Sequence, residues 1–280
     1  MDAVPMTVDQ SFDAFTRQVA LGMERVEGAL ARLLVLAQGG TAAGTGLNAP
    51  AGFDAAFCGE LAVLTGTPFV PNPSKFEGMG AHDALVEMSG ALNTVASSLM
   101  KIANDVRLLG SGPRCGLGEL LIPDDGLTSS IMPGKRNPTT AEVLVQACLQ
   151  VMGNHVTITM ANASGNFELN VAKPVLIQNL LQSIRVLADA SRVFAGRLIA
   201  GLELDYARLA ANVENALLTV TVLNPVIGYD RVARIVGESI ASGRPPREVA
   251  IELGLLSAEE YDRHVDAAAM AAPHPRPTSA

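Results

Sequence analysis

The chain has 280 residues, 49% of them hydrophobic and 4% aromatic, with no tryptophan, a formal net charge of −8 and a pI near 5.0. So acidic and aromatic-poor a composition excludes nucleic acid as a partner, because phosphate binding needs clustered Lys and Arg and bases need stacking platforms. No apolar run reaches the ~18 residues needed to span a bilayer, and the acidic N-terminus lacks the basic-then-apolar pattern of a secretory leader, so a soluble, cytoplasmic protein without membrane contact is expected.

Taken in chain order, Thr7 and Gln10 fit a capping box that starts a helix near Val8. Phe12, Phe15, Val19, Met23, Val26, Leu30 and Leu33 then recur at steps of three and four, and the pattern predicts a helix to about Gln38, stopped by Gly39-Gly40. That helix would be about 45 Å long. The following run, Gly39 to Asn48, holds a Gly44-x-Gly46-x-x-Ala49 spacing that mimics a dinucleotide fingerprint. The fingerprint needs a strand before it and a helix after it. Here a helix precedes, so the glycines read as a turn that uses positive φ, with Thr45 and Asn48 as weaker candidates for holding an anion.

A second long helix is predicted over about 81–109, where Leu85, Met88, Leu92, Val95, Leu99, Ile102, Val106 and Leu109 form a bundle seam. A third runs over about 139–160 behind Pro138, and a fourth over about 174–200 with Leu176, Leu180, Ile184, Leu187, Phe194 and Leu198 on one face. The third is apolar on nearly every side from Glu142 to Met152, which implies packing against other subunits or a central place in one core. No segment alternates with the period of a half-buried strand, apart from short ambiguous pieces such as 156–159. After Gly201 the elements shorten into helices at about 205–218, 229–242, 246–253 and 258–269. The chain therefore reads as all-α, with a helical bundle at 1–204, a small helical domain at 205–270 and a disordered tail at 271–280.

Three cysteines, Cys58, Cys115 and Cys148, lie far apart without C-x-x-C spacing and read as reduced, packed thiols. The four histidines are scattered and no ligand spacing for a metal appears.

Between the second and third helices lies the polar run TSSIMPGKRNP, residues 128–138. Pro133 and Pro138 stiffen it and Gly134 permits a tight turn. In an extended stretch Lys135 and Asn137 face one side, a cation and an amide suited to a carboxylate. Ser129 and Ser130 add hydroxyls and backbone N–H groups. Removing a proton beside a carboxylate needs such a set: a base, and donors aimed at the dianion that forms. A surface loop without chemistry is the competing reading on composition alone.

The run S-S-x-M-P-x-K-x-N-P resembles the signature of the fumarase/aspartase superfamily. Gly39 to Asn48, His82-Asp-Ala-Leu, Met100 to Asp105, Ser111 to Glu119, Ala163 to Asn170 and Leu223 to Tyr229 are similar to class II fumarases, and the likeness runs from residue 1 to about 271. The resemblance implies a long-helix bundle, a homotetramer with active sites built from three chains, no metal or organic cofactor, and reversible hydration of fumarate to L-malate, a small dicarboxylate reaction. It assigns Ser129 as catalytic base, Ser130, Lys135 and Asn137 to substrate, and Glu142 to orienting a catalytic histidine.

The family's Thr-His pair and its two upstream substrate loops have no counterpart here. The expectation is a fumarase-type lyase that is inactive as this chain alone, either the surviving half of a longer enzyme or a chain that works with a separately encoded N-terminal part. The alternatives are a catalytically dead structural fragment, or a related lyase of the adenylosuccinate or argininosuccinate type. Arg136 suggests the last, because fumarases carry a small apolar residue there; it either joins the substrate site or points to solvent. Thr128 stands where the family has Gly and should stiffen the loop, and His155 reads as a helix-surface change.

Overall fold

A reciprocal cap opens the first helix: the Thr7 N–H donates to Gln10 Oε1 at 2.9 Å and the Gln10 N–H donates to Thr7 Oγ1 at 3.1 Å. The computed structural model describes residues 2–124, 126 and 129–272. Helix α1 (Val8–Leu33) stops five residues before the predicted end, and strand β1 (Val35–Leu36) follows. The reason is tertiary: β1 pairs in parallel with β2 (Val70–Pro71), Val35 opposite Val70 and Leu36 opposite Pro71. Between them lie the glycine-rich turn and α2 (Phe53–Thr65), and after them α3 (Lys75–Gly80).

The long helices are α4 (Asp83–Leu109), α5 (Thr139–Ala163) and α6 (Lys173–Val193), with strand β3 (Leu120–Leu121) between α4 and α5. The fourth predicted helix loses its α geometry after Val193, continuing as a π turn over Phe194–Leu198 and a 3₁₀ turn over Ile199–Gly201. Strand β4 (Glu203–Leu204) pairs antiparallel with β3. Then come α7 (Tyr206–Asn215), a 3₁₀ turn over Leu217–Leu223, α8 (Asn224–Ile227), α9 (Tyr229–Ser242), α10 (Pro246–Glu252), α11 (Ala258–His264) and α12 (Ala267–Ala271). The fold is all-α, as the periodicities imply. The segment ambiguous between strand and helix, 156–159, lies inside α5.

Two compact units divide these elements. One comprises residues 16–111 and 122–202, the other residues 1–15, 112–121 and 203–280, so α1 begins in the second and continues in the first. The tail assigned to 271–280 lies outside the described residues from 273 onward.

In the first unit α5 packs most extensively against α4 and α6. The predicted seam is the core: Met88, Leu92, Ile102 and Val106 of α4 meet Leu144, Cys148, Val151 and Ile158 of α5 and Leu176, Leu180 and Leu187 of α6. Burying each such side chain contributes about 1.5–3 kcal/mol. A polar layer crosses this core. The buried Asn154 amide donates to Gln182 Oε1 and Ser183 Oγ, both at 3.0 Å, and its oxygen accepts from Gln150 Nε2 at 2.8 Å. Such a layer penalises any register in which these groups lose partners. His155, expected at a helix surface, instead shares a 3.0 Å hydrogen bond through Nδ1 with Ser89 Oγ, which ties α5 to α4.

In the second unit Val220, Leu223, Val232, Ile235, Val249, Ala250 and Tyr261 form a separate core. A full capping box at Ser257 and Glu260 starts α11, and Gln10 Nε2 donates to the Ala271 carbonyl at 2.7 Å.

Candidate active site

The polar run folds as a tight loop leading into α5. Gly134 adopts φ 78°, which a β-carbon would resist. The Ser129 N–H donates to the Lys135 carbonyl and the Lys135 N–H to the Met132 carbonyl, each at 3.1 Å. These bonds bring the two ends of the motif together. Thr128, expected to stiffen the loop, and Asp125 lie outside the described residues.

Inside this turn the Ser129 hydroxyl oxygen accepts from the Met132 N–H at 3.2 Å and, at a longer 3.4 Å, from the Ile131 N–H. Backbone donors aimed at a hydroxyl oxygen favour negative charge on it. Ser129 is half-buried, Ser130, Lys135 and Arg136 are exposed, and Asn137 is half-buried. The N-terminus of α5 begins right behind them, and its positive end adds to the local field. The arrangement suits a proton-abstracting oxygen beside a cationic, amide-bearing rim.

Glu142 sits in the first turn of α5, with Oε1 3.7 Å from Nη2 of Arg107 on α4. Among the described residues, that arginine is its ion-pair partner. Arg136 is exposed to solvent and pairs there with Asp124, its Nη2 3.2 Å from Asp124 Oδ2.

Thr45 and Asn48 are not brought to this loop. Both are exposed, and Thr45 lines a cavity of about 250 Å³ with Gly39, Gly44, Gly46, Asp54 and Lys75, which includes none of residues 129–137. The glycine-rich turn follows a short strand rather than a helix, contrary to the expectation, and precedes α2. The nucleotide reading still fails, for a different reason. A β-carbon on Gly44 would sit 2.7 Å from the Phe76 nitrogen, and one on Gly40 would sit 2.5 Å from Met79 sulfur, so these glycines serve packing against α3. Asp54 in the first turn of α2 holds Lys75 Nζ at 2.8 Å, and that lysine draws its carboxyl below the usual range. An acid there repels the phosphate that a fingerprint loop would bind.

Sequence reasoning missed one further polar cluster, where the ends of α4, α5 and α6 meet. The His82 N–H donates to Asn162 Oδ1 at 2.7 Å, and the buried Asn170 amide donates to the carbonyls of Ala161 and Asn162. Lys173 Nζ donates to the Asn170 carbonyl at 2.7 Å. Burial, and then Lys173, hold the His82 imidazole below its ordinary pKa, against the pull of the Asn170 carbonyl, Asp83 and Glu77. Only the fold joins residues so far apart in the chain; no spacing marks them. Lys173 also borders an open, largely apolar cavity of about 730 Å³ lined by Leu36, Phe53, Phe57 and Leu61.

Among the described residues no group of three or more His, Cys, Asp or Glu is placed to hold a metal, and no helix is long and apolar enough to cross a membrane.

Comparison with known proteins places this geometry in context. A family model described as lyase matches residues 1–153, and one described as fumarase C C-terminus matches residues 219–272. Mitochondrial fumarate hydratase of Dictyostelium discoideum is 51% identical over 269 residues, 96% of this chain and 56% of that protein. Class II fumarate hydratase of Rickettsia prowazekii (strain Madrid E) is 53% identical over 264 residues, 94% of this chain and 57% of that protein. The crystal structure of a class II fumarase from Schistosoma mansoni superposes with a TM-score of 0.92 at 42% identity, covering 98% of this chain and 60% of that one. The chain thus spans about half the length of the curated relatives it matches.

Proposed function

From the premise that this chain belongs to the fumarase-type lyases, we propose that it takes part in the reversible hydration of fumarate to L-malate, a carbon–oxygen lyase reaction, with residues 129–137 as its substrate loop. The observation that carries this reading is the Ser129 oxygen held by two backbone N–H donors beside the exposed Ser130 and Lys135.

In the dehydration direction the Ser129 alkoxide takes the proton from the malate carbon next to a carboxylate. The electron pair moves into that carboxylate, and the resulting dianion is met by Lys135, Asn137 and the start of α5. Collapse of the dianion expels hydroxide from the neighbouring carbon. A second group protonates the hydroxide, and water and fumarate are left. In hydration the serine O–H returns its proton to carbon. Ser130 holds the substrate, and Glu142 orients the second proton-transfer group, a histidine that another polypeptide segment supplies. The site needs no metal or organic cofactor in this scheme, since all charge is handled by side chains and backbone dipoles.

We assign the chain to a homotetramer. Support comes from the outward side of α5, where Val143, Leu149, Val156 and Met160 are exposed, and from Val175, Ile177, Leu181 and Ile184 on α6. Contiguous apolar surface on helices of this length favours burial against other copies. The same surface suits the second reading, a purely structural bundle subunit. The reading as a lyase for a succinyl adduct drew on Arg136 and weakens now that Asp124 occupies that side chain. A reducing, cytoplasmic setting fits the free state of all three cysteines.

The deciding experiment follows malate formation from fumarate by the purified chain, alone and mixed with a polypeptide carrying the family's Thr-His segment. Little turnover alone and clear turnover in the mixture are expected. A mixture that assembles, by light scattering, yet makes no malate sinks the enzymatic reading in favour of the structural one.

A further inference from the structure

Arg136 lies between Lys135 and Asn137, the two residues set against the substrate carboxylate. Neighbours in an extended stretch alternate sides. A side chain at 136 therefore faces away from the anion rim, and its partner is found there, Asp124 at 3.2 Å. Asp124 is doubly engaged. Its other oxygen, Oδ1, accepts from the Gly126 N–H at 3.0 Å, so the same carboxylate fixes the turn that enters the loop and grips the residue that leaves it. Between these two residues run the bonds that shape the loop: Ser129 N–H to the Lys135 carbonyl, Lys135 N–H to the Met132 carbonyl, and Met132 N–H to the Ser129 hydroxyl.

We propose that Arg136 is a positioning residue that clasps the entry of the 129–137 loop to its exit and so holds the loop in the shape that presents Lys135 and Asn137 to an anion. Arg136 touches no substrate in this arrangement. This inference rests on the reading of the loop as a dicarboxylate site for its purpose, but the clasp itself does not.

The pair is solvent-exposed, with side chains 66% and 41% accessible, so its strength is that of a surface ion pair and its effect should be modest and salt-sensitive. Fast hydrogen exchange at the Ser129, Met132 and Lys135 amides reads it directly. Arg136→Met and Asp124→Asn should each speed exchange at these amides about two- to five-fold. The double variant should exchange no faster than either single one, because both remove the same contact. High salt should bring the unmodified chain toward the variants. Unchanged exchange in either single variant, or accelerations that multiply in the double, overturns the clasp.

Succinate, a dicarboxylate that cannot be hydrated, tests the second half of the proposal in the complemented assembly. Its binding should weaken by a similar factor in Arg136→Met and in Asp124→Asn, and no further in the double variant, because each change opens the same clasp. If Arg136 held the ligand itself, Asp124→Asn would leave binding intact, and the positioning role would be wrong. If succinate binds no form at all, the dicarboxylate reading of the loop fails, and the ligand-free exchange rates still decide the clasp.

Discussion

The Met132 N–H points at the Ser129 hydroxyl oxygen from 3.2 Å, three residues along the same turn. A hydroxyl in water is a poor base. In the role we propose for Ser129, the backbone donors, Lys135 in the same loop and the helix N-terminus behind it would stabilise the anionic form before substrate arrives. Ser129→Ala should lower turnover of the complemented enzyme by about 10²–10⁴-fold while the loss of its turn bonds costs about 1 kcal/mol of stability. The measurement is fumarate hydration together with urea unfolding; near-normal turnover in the alanine variant contradicts the assignment.

Two glycines separate packing from propensity. Gly44 has φ 107°, and a β-carbon there would stand 2.7 Å from the Phe76 backbone nitrogen. Gly28 lies inside α1 with nothing within 4 Å of its would-be β-carbon. Gly44→Ala should destabilise by about 2 kcal/mol or more, whereas Gly28→Ala should stabilise by about 0.5–1 kcal/mol. Chemical denaturation of the two variants checks the opposite signs; a neutral Gly44→Ala would mean that α3 can yield.

Acid should act on the bundle end through His82. Burial and the Lys173 charge lower its pKa from the ordinary 6.5, so the folded chain holds this proton less well than the unfolded chain does. Stability from this group is therefore fully present above about 6.5 and declines as pH falls from there toward the lowered folded value. Carboxylates with lowered values, Asp54, Glu87, Asp262 and Glu260, act in a separate window, below their ordinary values of 3.8 to 4.5. The urea midpoint should drop between pH 7.5 and 5.5 (the range chosen to bracket an ordinary histidine, about 6.5), and His82→Gln should flatten that drop. An unaltered slope in the variant would assign the acid sensitivity elsewhere.

Thiol chemistry should follow burial. Cys148 is wholly buried in α5, which pushes its thiol up to about 11, and Cys58 is buried in α2, whereas Cys115 is exposed. A disulfide reagent at mildly alkaline pH should modify Cys115 alone in the native chain and all three thiols after unfolding. Rapid native labelling of Cys148 would show that the α4–α5–α6 core opens readily.

The seam of α4 and most of the face of α6 were legible because a helix that buries one face repeats its apolar residues with period 3.6, although Ile184, on the predicted α6 face, is exposed. The Thr7–Gln10 box was legible because both partners lie within one turn. The loop at 129–137 was legible as a stiff polar turn through its prolines and Gly134, while its link to carboxylate chemistry came from the family resemblance. What stayed hidden depends on partners distant in the chain. The early end of α1 is dictated by Val70 and Pro71, which offer β1 a ladder that a continuing helix could not use. Gly40 and Gly44 read as turn residues in sequence and are packing sites because Met79 and Phe76 occupy the space their side chains would fill. His155, His82 and Arg136 are ordinary polar residues until Ser89, Lys173 and Asp124 are placed beside them. Local periodicity and short motifs are written along the chain; partner choice for an isolated polar group is a matter of distance in space, which only the tertiary structure decides.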